Sequence, residues 1–152
     1  MNKNLPLSNI VVLDLTNVLS GPFATQILSD LGAEIVKVEK PNGDDSRKFG
    51  PFIKKRSSYF ISLNRGKKSI VVDFNNEEDK KIFKKLLAIS DVIIDNFKPG
   101  TLEKYGFSSS YLKKNFPLLI QTKISGFGET GPLKENPAYD MIVQAMGGIM
   151  SI

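Results

Sequence analysis

Residues 96–107 read NFKPGTLEKYGF and follow Asp91–Asp95 (DVIID), an apolar run with the composition of a buried strand. A plain turn there needs only the proline and the glycine. Asn96, Phe97, Lys98, Lys104 and Tyr105 add an amide, two aromatic faces and two cations. Such groups can hold a flat ring and a phosphate: the aromatic face stacks, the amide reads an edge, and lysine supplies a point charge. Comparable residues follow other apolar runs: Thr16–Pro22 (TNVLSGP), Lys40-Pro41, Asp73-Phe74-Asn75 and Ser125–Gly128 (SGFG). Each also has a plainer reading. Asn96 can satisfy turn backbone, Phe97 can be core, and Lys40 and Lys104 can be solvated. Asp140, in PAYDMIVQA, is either a catalytic carboxylate or an acid matched to the dipole of a helix's first turn.

The elements that would carry these residues alternate. Strands are expected at Ile10–Leu15, Glu34–Glu39, Ser69–Phe74, Asp91–Asp95 and Leu118–Ile124. Helices are expected at Gly21–Leu31, with Pro22 in its first turn and Gly32 as its stop, and at Asn76–Ile89, capped by Asn75 or Asn76. Phe23, Ile27, Leu28 and Leu31 form the apolar stripe of the first helix; Ile82, Phe83, Leu86 and Leu87 form that of the second. A short helical piece falls near Ser108–Lys114, a further helix at Pro137–Met146, and 41–58 reads as loop. The pattern predicts an α/β domain, a Rossmann-like and mainly parallel sheet flanked by helices. In such sheets ligands sit outside the carboxyl ends of the strands, where the unusual residues collect.

Composition narrows the chemistry. The 152 residues suffice for one domain with a core, at 41% hydrophobic and 24% charged. With no cysteine and no histidine, there is no disulfide, thiolate nucleophile, imidazole base or common zinc site, so no metal is expected. The net charge of +5 suits anionic partners, but the basic residues are spread and no nucleic-acid motif is present, so no nucleic acid is expected. No apolar run spans a membrane and MNKNLPLSN lacks a secretory core, which predicts a cytoplasmic protein with no membrane partner. Neither a G-x-G-x-x-G loop after the first strand nor a phosphate-binding lysine loop occurs.

Taken in order, VVLDLTNVLSGPFATQILSDLGAEIVKVEKPNGDDSR, YFISLNRGKKSIVVDF, SDVIIDNFKPGTLEKYGF and ISGFGETGPLKENPAYDMIVQAMGG resemble the N-terminal part of a family III CoA-transferase. That superfamily (CaiB/BaiF type) includes formyl-CoA transferase, the carnitine CoA-transferases and the α-methylacyl-CoA racemases. The resemblance implies a two-domain fold in an interlocked homodimer. Residues 1–152 would be the N-terminal part of the large CoA-binding domain, with the small domain and the C-terminal return segment absent. It carries CoA contacts over to Leu19 and Ser20 in the first loop and to Lys40 after the second strand. It carries them further to Val72, Asp73, Phe74 and Asn75, to Asn96, Phe97 and Lys98, and to Lys104. Asn136, Pro137, Ala138 and Tyr139 resemble a loop along the pantetheine arm. NFKPGTLEKYGF would then receive the adenosine end of CoA.

The implied reaction moves CoA from an acyl-CoA donor to a carboxylic acid through a covalent aspartyl intermediate. CoA and acyl-CoA are substrates, and no cofactor is tightly bound. The family's nucleophilic aspartate is expected downstream of Ile152, so no catalytic residue is expected within this chain, which would be inactive alone. Its exposed apolar end would favour association. The racemases carry histidine where this chain has Tyr139, and formyl-CoA transferase has glutamine at Leu19; both differences count against those specificities. A non-catalytic CoA- or nucleotide-binding module is the alternative.

Overall fold

The structure, a computed structural model, describes residues 5–152; the first four residues of the MNKNLPLSN stretch lie outside it. In chain order it contains β1 (Val11–Asp14), α1 (Ser20–Asp30), β2 (Glu34–Glu39), a 3-10 turn at Asp45–Lys48, β3 (Phe52–Ile53), β4 (Arg56–Ser57) and α2 (Ser58–Asn64). Then follow β5 (Lys68–Val71), α3 (Glu77–Ala88), β6 (Val92–Asp95), α4 (Thr101–Lys104), α5 (Ser109–Asn115), β7 (Ile120–Lys123), α6 (Asp140–Met146) and a 3-10 turn at Ile149–Ser151. Five strands form one sheet in the order β5-β2-β1-β6-β7, every neighbouring pair parallel. This is the expected α/β fold with helices flanking a parallel sheet.

The β-branched runs enter the sheet because both faces are covered. On one face Leu13, Leu15, Val38, Val72 and Ile93 pack with Phe83 and Leu87 of α3, Leu112 of α5 and Phe107. Phe83 and Phe107 meet edge to face with centroids 4.8 Å apart. The other face holds a smaller cluster of Val12, Ala33, Ile35 and Ile94. In α3 the Asn76 side chain caps the helix by accepting from the Glu78 amide at 2.9 Å, and three acids follow in its first turn. Its stripe is narrower than expected: Phe83 and Leu87 are buried, whereas Ile82 faces outward.

Three expectations need correcting. The expected stripe of α1 is largely turned to solvent, with Phe23 53% exposed and Ile27 45%, while Thr25 and Gln26 are buried. The reason lies beneath the helix: Thr25 donates to the buried Asp14 of β1, and Gln26 lies against the Ser62 and Leu63 carbonyls and the Arg65 side chain, so polar partners are needed there. Within 41–58 there is a two-stranded antiparallel hairpin, β3–β4, whose turn residues Lys54 and Lys55 both have positive φ. The last helix begins at Asp140 rather than Pro137. Among the described residues no helix is long and apolar enough to cross a membrane, and no group of three or more potential ligands is arranged for a metal.

Candidate functional site

The chain runs from β1 outward through β2 to β5, then crosses to the other side of β1 and runs through β6 to β7. The loops leaving β1 and β6 therefore diverge, and the crevice between them is a topological switch point. Asn96 closes the base of that crevice. Its Oδ1 accepts from the Asn17 amide and its Nδ2 donates to the Asn17 carbonyl, both at 2.9 Å. Both functions of the amide are thus spent on the backbone of the opposite loop. The plainer reading of Asn96 as a backbone partner holds, but across 79 residues rather than within its own turn.

The β1–α1 loop is held from several other directions. Asp14, fully buried, accepts from the Thr16 amide at 2.9 Å and from the Thr25 hydroxyl at 2.6 Å. Lys67 Nζ lies 3.1 Å from Asp14 Oδ2 and donates to the Pro22 carbonyl at 2.9 Å. Lys37 Nζ donates to the Thr16 carbonyl at 2.7 Å and lies 2.9 Å from Asp44 Oδ2. Asp44 Oδ1 accepts from the amides of Ser46 at 2.8 Å and Val18 at 3.3 Å. Burial pushes the Asp44 carboxyl up, but the Ser46 hydrogen bonds and the Lys37 charge outweigh it and hold the group below its ordinary range. Gly21 fits where it does because a Cβ there would overlap the Thr16 side chain.

At the end of β2, Glu39 receives Arg47 through two hydrogen bonds of 2.6 Å and the Asp44 amide at 2.9 Å. Ser69 donates to it as well. Burial acts to raise its pKa, yet the Arg47, Ser69 and Asp44 hydrogen bonds prevail and lower it from 4.5 to about 2. A carboxyl depressed in the folded state stabilises the fold fully above its unfolded value and loses that contribution as pH falls through the folded one. Between about pH 4.5 and 2 this group should therefore cost the protein stability on the order of 2 kcal/mol as acid is added. Urea titrations of wild type and Glu39→Gln over this range test it: the variant should start less stable and show a shallower acid dependence.

The remaining predicted residues distribute as follows. Leu19 and Ser20 are exposed at the start of α1, which has no side-chain cap and no acid in its first turn. Lys40 is exposed and paired with Asp45 at 2.7 Å. Val72 is 2% exposed, so its side chain belongs to the core. Asp73 accepts from the amide of Asn75 at 2.9 Å and from its side chain at 3.0 Å. Phe74 stacks on Tyr105 with centroids 5.2 Å apart, so the ring of Tyr105 is taken up within the protein. Phe97 is half-buried against the larger core cluster rather than standing free. Lys98 and Lys104 are exposed, and among the described residues neither forms an ion pair.

The Asn136–Tyr139 loop is attached at the end of β7, where a Cβ on Gly126 would overlap that of Ala138. Asn136, Pro137 and Tyr139 are exposed. Asp140 is also exposed and accepts from Gln144, as suits a surface acid at a helix start. Beyond the crevice, a cleft of about 360 Å³ opens beside β6 and β7, lined by Asp95, Phe97, Lys98, Phe107 and Lys123 among others. Burial raises the Asp95 carboxyl there. The structure thus gathers the loops after β1, β2 and β6 around one crevice. It adds Lys37 and Asp44, which the sequence did not single out, and ties Asn17 and Val18 of the TNVLSGP stretch to them and to Asn96. The polar positions Lys37 and Asp14 inside apolar strands were the available signal.

The family model for CoA-transferase family III matches residues 7–152. The chain is 50% identical over 146 residues to an acetyl-CoA:oxalate CoA-transferase of Acetobacter aceti, covering 95% of this chain and 38% of that protein. It is 47% identical over 149 residues to a succinyl-CoA:glutarate CoA-transferase of Mus musculus, covering 97% of this chain and 34% of that one. A crystal structure of a CaiB/BaiF family protein from Brucella suis superposes with a TM-score of 0.91 at 45% identity, covering 99% of this chain and 41% of that one. The chain therefore spans between about a third and two-fifths of the length of these relatives. With a parallel sheet, a switch-point crevice and a family match over nearly all its residues, the chain belongs to CoA-transferase family III.

Proposed function

We propose that the crevice at the ends of β1, β2 and β6 binds the CoA part of an acyl-CoA, in a protein that transfers CoA from an acyl-CoA donor to a carboxylic acid. The observation that carries this reading is the Asn96–Asn17 clamp across the switch point, in a chain of this family. The exposed lysines supply charge for phosphates: Lys98 and Lys104 carry no ion pair among the described residues, and Lys40 has only a solvated one to exchange. Phe97, half-buried, directly precedes Lys98 in the same loop. Relatives named for oxalate, glutarate, mesaconate and L-malate support a short dicarboxylic acid as acceptor.

In this reading an aspartate carboxylate attacks the thioester carbonyl and expels the CoA thiolate, leaving a mixed anhydride. The thiolate then attacks the aspartyl carbonyl, forming aspartyl-CoA and releasing the donor acid. The acceptor carboxylate repeats the sequence in reverse and leaves as its CoA thioester. By resemblance that aspartate belongs to a segment beyond Ile152, and the active enzyme is a cytoplasmic homodimer. Residues 1–152 contribute the N-terminal part of the CoA-binding domain and bind CoA without turning it over.

Calorimetric titration with CoA tests the reading. Saturable binding that weakens as salt is raised is expected, because the phosphates carry much of the attraction. Replacing Lys40, Lys98 and Lys104 together with alanine should weaken it roughly 10-fold and flatten the salt dependence. Absence of CoA binding, or binding indifferent to all three lysines, would overturn the assignment.

A further inference from the structure

From Ser46 to Val72 the sequence carries eight cations and no carboxylate. Four of them find acids elsewhere: Arg47 pairs with Glu39, Arg65 with Asp30, Lys67 with Asp14 and Lys68 with Glu34. The other four, Lys48, Lys54, Lys55 and Arg56, are exposed and form no ion pair among the described residues. Three of these share the β3–β4 hairpin. Lys54 and Lys55 make its turn with φ of +49° and +64°, a left-handed pair that asparagine and glycine adopt with less strain. Both side chains are exposed, so packing does not offset the strain, and what the turn holds out is charge.

Apolar side chains stand beside that charge. Phe52 is 56% exposed, Ile53 64% and Ile61 of α2 47%. Between the hairpin and α2 runs a groove of about 510 Å³, lined by Ile53, Lys54, Arg56, Ser58, Ile61 and Ser62. The Ser58 and Ser62 hydroxyls already donate to the Pro51 and Tyr59 carbonyls, at 2.8 and 2.9 Å. The side-chain donors left for an occupant are therefore Lys54 and Arg56, and both call for an anion. The aliphatic walls call for something apolar between its charges. A nucleic-acid backbone would use the cations and leave Ile53 and Ile61 against water. A flat anionic membrane would meet the tip lysines and bridge over the recess.

We infer that the β3–β4 hairpin and α2 form a docking surface for an acidic segment of a partner protein, one that seats an aliphatic side chain in the groove and sets carboxylates against Lys54, Lys55 and Arg56. The surface uses none of the residues assigned to CoA above, so it stands whether or not that reading does. Charge draws the segment in and is screened by salt, while the groove supplies the apolar contact that bare charge lacks.

Fluorescence anisotropy with three labelled peptides tests it: Glu-Asp-Leu-Leu-Asp-Glu, the same peptide with serine for leucine, and the same with amides for carboxylates (Gln-Asn-Leu-Leu-Asn-Gln). The acidic leucine peptide should bind saturably, the other two at least about 5-fold more weakly, and added salt should weaken its binding. Lys54→Asn with Lys55→Gly removes two charges and installs the ordinary turn pair. It should melt no lower than wild type while losing about 3- to 20-fold in peptide affinity. Ile61→Ser should lose affinity without altering the salt dependence. No binding of the acidic leucine peptide, equal binding of the serine peptide, or affinity unchanged in both variants would overturn the inference. So would tighter retention on phosphatidylglycerol vesicles or on a DNA duplex, which would make the surface a site for another class of partner.

Discussion

Asp14→Ala should cost the protein about 3–5 kcal/mol of stability, a large part of the 5–15 kcal/mol typical of a domain. Asp14 is fully buried and is the carboxylate paired with Lys67, whose side chain is 1% exposed. Burial already lowers the Lys67 pKa, with the Asp14 charge and hydrogen bond acting to raise it. Removing Asp14 takes away that support and also leaves the Thr16 amide and hydroxyl without their acceptor, while the Thr25 hydroxyl keeps only its longer bonds to the Gly21 and Pro22 carbonyls. Urea denaturation measures the effect. A loss under about 1 kcal/mol would mean that the loop relaxes enough to let water in, and that the network does not fix it. Replacing both partners, as Asp14→Leu with Lys67→Met, should recover much of the loss, because no uncompensated charge then stays buried.

Asn96→Ala should weaken CoA binding by roughly 10- to 100-fold, the equivalent of about 1.4–2.8 kcal/mol. The two hydrogen bonds to Asn17 are the direct tie between the loops that bound the crevice. Without them the Asn17 amide and carbonyl lose their partner, and the loop must be ordered at the moment of binding. Asn96→Asp separates the two contacts: it keeps the acceptor for the Asn17 amide and sets a second acceptor against the Asn17 carbonyl. It should therefore bind no better than the alanine variant. Calorimetric titration of both variants checks the expectation, and affinity within 2-fold of wild type would show that the clamp is dispensable.

Much of the fold could be read from the sequence because its strands are buried on both faces and written in β-branched residues. IVVLDL, EIVKVE and DVIID each became a strand, and AsnAsn before an acidic first turn became the α3 cap. The facing of α1 could not be read. Its stripe of Phe23, Ile27, Leu28 and Leu31 looks like a core face, but only Leu28 packs inward; Thr25 is drawn in by Asp14 of β1, and Gln26 by the Ser62 and Leu63 carbonyls and Arg65, all distant in sequence. The β3–β4 hairpin was hidden for a local reason: its turn is Lys54-Lys55, not the Asn-Gly pair that signals a left-handed hairpin turn.

The site was half legible. The strand-end residues were visible by type, and the family resemblance named what they would hold. What pattern could not give was division of labour. Asn96 looked like a reader of a base and is a clamp on Asn17. Val72 was expected at the ligand and its side chain lies in the core. Lys37 and Asp44, seven residues apart in a strand and the loop after it, meet only once that loop folds back over β2.

The most direct test of the account is a map of backbone amide chemical shifts on titrating the protein with CoA. The largest changes are expected at Asn17–Ser20, Lys40, Asp73–Asn75 and Asn96–Lys98, with Lys104 following. Changes confined to α5, α6 or the β3–β4 hairpin, with these loops unmoved at saturation, would contradict it.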